Sequence, residues 1–358
     1  MLPHDHAHIR HPVAIDLFSG CGGLTEGLEQ AGFAVKGAVE IDPLAVETYQ
    51  ANHTAVKVWN ADITTLSVEQ VMQHLGLKKG ELDLLAGCPP CQGFSSMRTL
   101  NGSRSVTDPR NDLVRDFFRF VEGLRPKAVM MENVPGLQLD RRMDEFITAL
   151  ARLGYHIDKH SVRICNVADF GVPQRRRRLM MMVSLTGPVP FAPPDPIRRK
   201  VRDAIGDLPQ PGGSGDALHD LVENRSKRIC DLIQKIKKDG GSRTEFGKTE
   251  QLACHQKCDG FKDVYGRMAW DSVAPTITGG CVNPSKGRFL HPVQNRAITL
   301  REAALLQSFP KQYTFSLKRG KFAAAALIGN ALPPEFVRRH AVSVARYLGY
   351  ADDLPRVM

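Results

Sequence analysis

Four short apolar runs mark the first part of the chain, VAIDLF (13–18), AVKGAVE (34–40), LDLLAGC (82–88) and AVMMENV (128–134), each bounded by turn signals. Runs of that length read as strands buried on both faces of a parallel sheet. Between them LTEGLEQAG, PLAVETYQANH, SVEQVMQHLG and DLVRDFFRFVEGL carry helical spacing. Repeated strand–helix units join by right-handed crossovers, so the alternation predicts an α/β fold with a doubly wound, mostly parallel sheet. HIDKHSVRICNV (156–167) and RRLMMMVSL (177–185) read as further strands, the second antiparallel.

From about Gly187 the texture changes. PVPFAPPDP and GDLPQPGGSGD open a poorly periodic stretch that runs to about Pro292, and 196–291 holds 17 Lys and Arg against 12 Asp and Glu. Helical spacing returns at TLREAALLQSF (299–309) and PPEFVRRHAVSVARYLGY (333–350), with GNALPP (329–334) as a turn between periodic segments. The expected division is 1–186 as the sheet domain, 187–292 as a second, smaller domain, and 293–358 as a segment whose last helix returns to close the first. A chain of 358 residues is long enough for that plan. Its net charge of +10 suits a polyanion such as nucleic acid, or equally a solvated basic surface. Eight scattered cysteines without a signal peptide fit a reducing, cytoplasmic setting. No uncharged apolar run reaches the roughly 20 residues of a membrane-spanning helix. The His-rich start, MLPHDHAHIRHP, reads as a floppy leader sooner than as a metal site.

DLFSGCGGLTEGL (16–28) is a strand that ends in a glycine-rich turn and opens a helix. Such a turn lets backbone approach a ligand at the carboxyl edge of an open α/β sheet. The dinucleotide pattern G-x-G-x-x-G fails, because the third glycine after Gly20 and Gly22 would fall on Thr25, so pyrophosphate binding is disfavoured. Glu40 follows the second strand and Asp62, in NADI, follows the third; a carboxylate at the first place can hold a ribose diol, and at the second can accept from an exocyclic amine. Either acid alone reads as a helix cap or a solvated turn, and only their order after the glycine turn raises the signal. GCPPCQGFS (87–95) places Cys88 and Cys91 around two prolines. A redox pair would sit at a helix N-terminus, whereas QGFSS looks like loop. A zinc site would need a second pair, for which Cys254, His255 and Cys258 give a poor pattern. The third reading is one catalytic thiol at the mouth of the sheet.

Taken in order, DLFSGCGG, GCPPCQGFS, MENV (131–134), PQRRRR (173–178) and GNALPP resemble the motifs of the cytosine-5 DNA methyltransferases, from Asp16 to about Phe336. Only the stretch from about Gly187 to Pro292 lacks family motifs, as a variable target-recognition domain would. The resemblance implies the Rossmann-like S-adenosylmethionine-dependent methyltransferase fold. It assigns Cys91 as nucleophile and leaves Cys88 a strand-end residue. Glu132 matches the family's acid, and Gln174, Arg176 and Arg178 its Q-x-R-x-R pattern, with both arginines expected to aim at the base O2 and a flanking phosphate while Arg175 and Arg177 point elsewhere. The implied cofactor is S-adenosylmethionine, with Phe18, Gly20, Gly22 and Gly23 lining the turn. Glu40 and Asp62, with Ile41 and Ile63 beside them, hold ribose and adenine, and Pro89, Leu113 and Asn330 complete the pocket. The implied partner is duplex DNA, bound by a monomer that flips the target base, in a bacterial or phage modification system with a cognate restriction endonuclease. Ser19 stands where family members often have Ala, which hardly bears on the assignment. A transfer-RNA methyltransferase of the same family is the alternative, but its Cys-Phe-Thr signature is missing; intact Cys91, Glu132, Arg176 and Arg178 argue against an inactive DNA-binding relative.

Overall fold

The computed structural model describes residues 11–90, 113–221, 223–247 and 262–350. The strands are β1 (Val13–Leu17), β2 (Ala34–Glu40), β3 (Lys57–Asn60), β4 (Leu84–Gly87), β5 (Ala128–Asn133), β6 (Val162–Asn166) and β7 (Arg177–Ser184). They form one sheet in the order β3-β2-β1-β4-β5-β7-β6. The first five run parallel to one another, and β7 runs antiparallel between β5 and β6. The chain winds outward from β1 to β3, then restarts at β4 on the other side of β1. That reversal opens a crevice beyond the carboxyl ends of β1 and β4, where open α/β sheets bind ligands.

The alternation of side chains along each strand divides the core into two layers. On one face Ala14, Ala86, Met130, Met180 and Met182 pack under α1 (Gly23–Gln30) and α10 (Pro334–Tyr347). On the other Ile15, Leu17, Leu85, Val129 and Met131 pack under α3 (Val68–Leu75), α4 (Leu113–Leu124) and α5 (Arg141–Arg152). α2 (Pro43–Asn52) begins at an Asp42 cap whose carboxylate accepts from Leu44 N at 3.0 Å, with Pro43 in the first turn, where its missing N–H costs nothing. The late helix packs tightly on α1: a Cβ on Gly27 would stand 2.5 Å from Val337 of α10.

Two smaller apolar clusters lie beyond the sheet. One gathers Val201 and Ile205 of α6 (Val201–Ile205) and Ile277 with Leu300 and Ala303 of α8 (Leu300–Leu306), Tyr313, and Ile328 of α9 (Gly320–Asn330), so its packing crosses residue 292. The other joins Leu232 and Ile233 of α7 (Lys227–Lys235) to Val264, Tyr265 and Leu290. Arg267, fully buried beside it, donates to the carbonyls of Ile233, Ile236, His291 and Gln294. It thereby ties together a stretch with little regular structure.

The observed elements differ from the sequence expectation in one strand and in helices α5, α6, α7 and α9, which the sequence reading did not mark. The strand expected over 156–167 is confined to Val162–Asn166, because Asp158 accepts from His160 N at 2.8 Å and from Ser161 Oγ at 3.0 Å and so folds a turn ahead of it. α9 was not expected at all. Its run of alanines has no polar stripe, so period 3.6 leaves no trace there.

Candidate active site

The glycine turn leaves β1 at the switch crevice. Phe18 is left-handed at φ 60°, Gly20 at 54° and Gly22 at 95°, and helix α1 begins at Gly23. Two consecutive reversals of that kind favour glycine, and at Gly20 a Cβ would meet nothing within 4 Å, so the backbone there faces open space. Glu40, at the end of β2, holds the turn: Oε2 accepts from Gly20 N and Oε1 from Asp42 N, both at 2.8 Å. Burial raises the Glu40 carboxyl above its ordinary range against the pull of these donors. Ile41 beside it is an apolar side chain left 62% exposed. Asp62 takes the modest role open to it as well, capping a short turn through Oδ1 to Thr64 N at 2.9 Å, while Ile63 is buried. The donor set and the open backbone face fit an adenosine: carboxylates for hydroxyls and amine, an apolar side for the base.

Beneath the turn Asp16 is fully buried. Its Oδ2 accepts from Thr25 Oγ1 at 2.8 Å, Thr25 meets Tyr49 Oη at 2.7 Å, and Oδ1 has no partner among the described residues. Burial pushes this carboxyl up to about 8, so it is largely protonated at neutral pH. The sequence marks Asp16 only as the start of a motif; nothing in its spacing signals the buried network.

β4 supplies the second wall. Cys88 N donates to Leu17 O at 3.2 Å, continuing the pairing with β1 past the strand end, and buried Pro89 follows. The Pro89 carbonyl accepts from Asn133 Nδ2 at 2.9 Å, so the last residue of β5 fastens the start of the loop that leads to Cys91. Asn133 was not singled out from sequence, although its place beside Glu132 in MENV was a usable signal. Cys91 itself lies outside the described residues, as do Cys254, His255 and Cys258. Burial drives the Cys88 thiol well above its ordinary range, and the carboxylates of Glu132 and Asp16 push the same way.

Glu132, 8% exposed near the end of β5, pairs with Arg178 at the start of β7, Nε to Oε1 at 2.7 Å. The two strands are antiparallel and place Glu132 opposite Met180, which brings Arg178 within reach. Arg176 sits two residues earlier but turns to the protein: Nη1 donates to the carbonyls of Ile277 at 3.0 Å and Gly329 at 2.8 Å, and its buried Nε has no partner among the described residues. Gln174 accepts from Ile277 N at 2.7 Å and donates to Gln307 Oε1 at 2.6 Å. Arg175 and Arg177 are exposed, as alternation along an extended segment expects.

The late segment forms the third wall. Gly329 lies so close to the backbone of Thr278 and Gly279 that any Cβ there would collide with it. A Cβ on Gly23 would stand 2.5 Å from the Leu332 carbonyl, so the start of α1 touches the residues just after exposed Asn330. Leu113, half-buried, opens α4. The structure thus brings Phe18, Gly20, Gly22, Gly23, Glu40, Pro89, Glu132, Arg178 and the 329–332 segment around the carboxyl ends of β1, β4 and β5.

Residues 13–346 match the family model described as C-5 cytosine-specific DNA methylase. The Type II methylase M.HgiDII of Herpetosiphon aurantiacus is 36% identical over 96% of this chain and 98% of its own length. The Type II methyltransferase M1.HphI of Haemophilus parahaemolyticus is 34% identical over 93% of this chain and 86% of its own. Among solved structures, an E. coli prophage protein named for DNA modification methyltransfer shares the fold with TM-score 0.71 at 24% identity, covering 94% of this chain and 99% of that one.

Proposed function

The chain belongs to the C-5 cytosine-specific DNA methylase family, and from that premise we propose that it moves a methyl group from S-adenosylmethionine to C5 of a cytosine flipped out of a specific duplex DNA sequence, through an adduct between Cys91 and C6. The observation that carries the reading is the Glu132–Arg178 pair at the end of β5, with Asn133 beside it holding the loop that leads to Cys91.

Cytosine C5 is too weak a nucleophile on its own. A Cys91 thiolate that adds to C6 forms a C–S bond and moves an electron pair toward C5 and N3. Glu132, once it has taken a proton, would donate at N3 and Arg178 at O2, where negative charge gathers. S-adenosylmethionine, when bound, would supply the methyl group to C5, its methyl–sulfur bond breaking to leave the thioether S-adenosylhomocysteine. Loss of the C5 proton to a water then restores the double bond as the C6–S bond breaks and the thiolate returns. Arg176 holds the Ile277 and Gly329 carbonyls through Nη1. The target base must leave the stack to reach these groups, and the surplus of Lys and Arg in 196–291 suits the phosphates that hold the duplex meanwhile. Glu40 and Ile41 would take the ribose and adenine, with Asp62 and Ile63 at the amine. Phe18, Gly20, Gly22, Gly23, Pro89, Leu113 and Asn330 would line the rest. The setting proposed is the cytoplasm, as a monomeric modification enzyme paired with a restriction endonuclease.

Labelled S-adenosylmethionine with duplex DNA should place label in 5-methylcytosine on nucleoside analysis, and none on transfer RNA. Label on adenine, on the cytosine amine, or on transfer RNA alone overturns the reading. Glu40→Ala should weaken S-adenosylmethionine binding by about 10- to 100-fold in calorimetry, the worth of a charged acceptor and of the turn it holds. Asp62→Ala, at an exposed site, should weaken it less. Unchanged affinity in both variants sinks the pocket assignment.

A further inference from the structure

We propose that Tyr313, supported by His53, is a positioning residue that sets the glycine turn for S-adenosylmethionine; the proposal rests on the reading of that turn as the cofactor site. Tyr313 lies far from the turn in sequence and belongs to none of the motifs, yet its buried hydroxyl donates to the Cys21 carbonyl at 2.6 Å. Cys21 stands between the two left-handed glycines, Gly20 and Gly22. Glycines on both sides of Cys21 leave the neighbouring peptide planes free to rotate, and a hydrogen bond to the Cys21 carbonyl selects one orientation.

The hydroxyl is itself held. His53 Nε2 lies 2.9 Å from it, and His53 Nδ1 lies 2.8 Å from Glu29 Oε2. Gly22 has no room for any side chain: a Cβ would stand 2.5 Å from the Tyr313 hydroxyl and 2.7 Å from His53 Nε2. The segment carrying Tyr313 is pinned along α2, with Thr314 N donating to Asn52 Oδ1 at 2.9 Å and Ser316 N to Thr48 Oγ1 at 3.0 Å. Its own carbonyl accepts from Arg301 Nη1 at 2.8 Å, and Arg301 pairs with Asp216. Tyr313 therefore joins the turn to α2 on one side and to the 187–292 stretch on the other, without touching the reacting groups.

Tyr313→Phe keeps the ring among Phe309 and Phe315, whose centroids lie 4.7 and 5.3 Å away, and removes only the hydroxyl. In the full chain it should raise the Kd for S-adenosylmethionine about tenfold, the effect of one buried acceptor left unpaired. kcat at saturating cofactor and the Kd for duplex DNA should stay within about twofold, since the chemistry and the basic surface are untouched. His53→Phe should raise the cofactor Kd by a smaller factor. Amide hydrogen exchange at residues 19–23 of the cofactor-free protein should accelerate in Tyr313→Phe, with melting showing it folded. Unchanged exchange, or a fall in kcat with cofactor Kd unmoved, overturns the positioning role. A wild-type chain that binds no S-adenosylmethionine while exchange at 19–23 still responds to Tyr313→Phe overturns the cofactor reading instead.

Discussion

Duplex DNA carrying 5-fluorocytosine at the target should trap the Cys88→Ser variant as a denaturation-resistant covalent adduct and should leave Cys91→Ser unattached. Fluorine cannot depart from C5 as a proton does, so elimination stalls after methyl transfer and the C6–S bond persists. The two cysteines differ in setting. Only a thiolate adds to C6 at useful rates, and Cys88 is driven well above its ordinary range first by burial and then by the carboxylates of Glu132 and Asp16. Its backbone is also committed, N to the Leu17 carbonyl, as the tail of β4. Cys91 lies three residues further, past two prolines and beyond the Pro89 carbonyl that Asn133 fixes. Cys91→Ser should lose all detectable methyl transfer and still bind DNA, because a hydroxyl nearly keeps the shape and loses the nucleophile. Gel analysis after denaturation reads the adduct. Equal loss in both variants, with both shown folded, would return the pair to a joint role.

Glu132→Gln should slow methyl transfer about 10²- to 10⁴-fold in a single turnover, the usual worth of a general acid or of a charged hydrogen bond made as the adduct forms. The substitution is nearly isosteric, and the amide oxygen can still accept from Arg178 Nε, which now lies 2.7 Å from Oε1. Binding of S-adenosylmethionine and of DNA should therefore stay within about threefold. A single-turnover rate within threefold of the parent would remove Glu132 from the chemistry and make the pair an element of stability only.

The inner strands β1, β2, β4 and β5 were legible because each is a short, largely apolar run bounded by turn signals, and even the antiparallel sense of RRLMMMVSL follows in β7. The edge strand β6 was less so, since Asp158 and Ser161 fold a local turn that apolar counting does not see. α9 left no trace because its alanines present no polar face. In the site, the ordered acids Glu40, Asp62 and Glu132 announced themselves at strand ends. What no local pattern could reveal were the partners: that Glu40 spends both oxygens on backbone N–H groups, that Arg176 faces two carbonyls, and that a tyrosine far along the chain meets Cys21. These are meetings of segments remote in sequence, and side-chain type alone does not specify them.

The contact between Tyr313 and Cys21 spans 292 residues, and Cys21 Sγ reaches the Leu327 carbonyl across 306. At a synthesis rate of roughly 5–20 residues per second, the turn leaves the ribosome about 15–60 s before the segment that backs it. A nascent chain in that interval has made β1, the glycines and the Glu40 that accepts from Gly20 N, but not the hydrogen bond to the Cys21 carbonyl, and closing so long a loop is slow. On the proposed reading of the turn, full affinity for the cofactor arrives with the docking of the distal segment, and a chain cut short before Tyr313 should carry the motif with weakened binding.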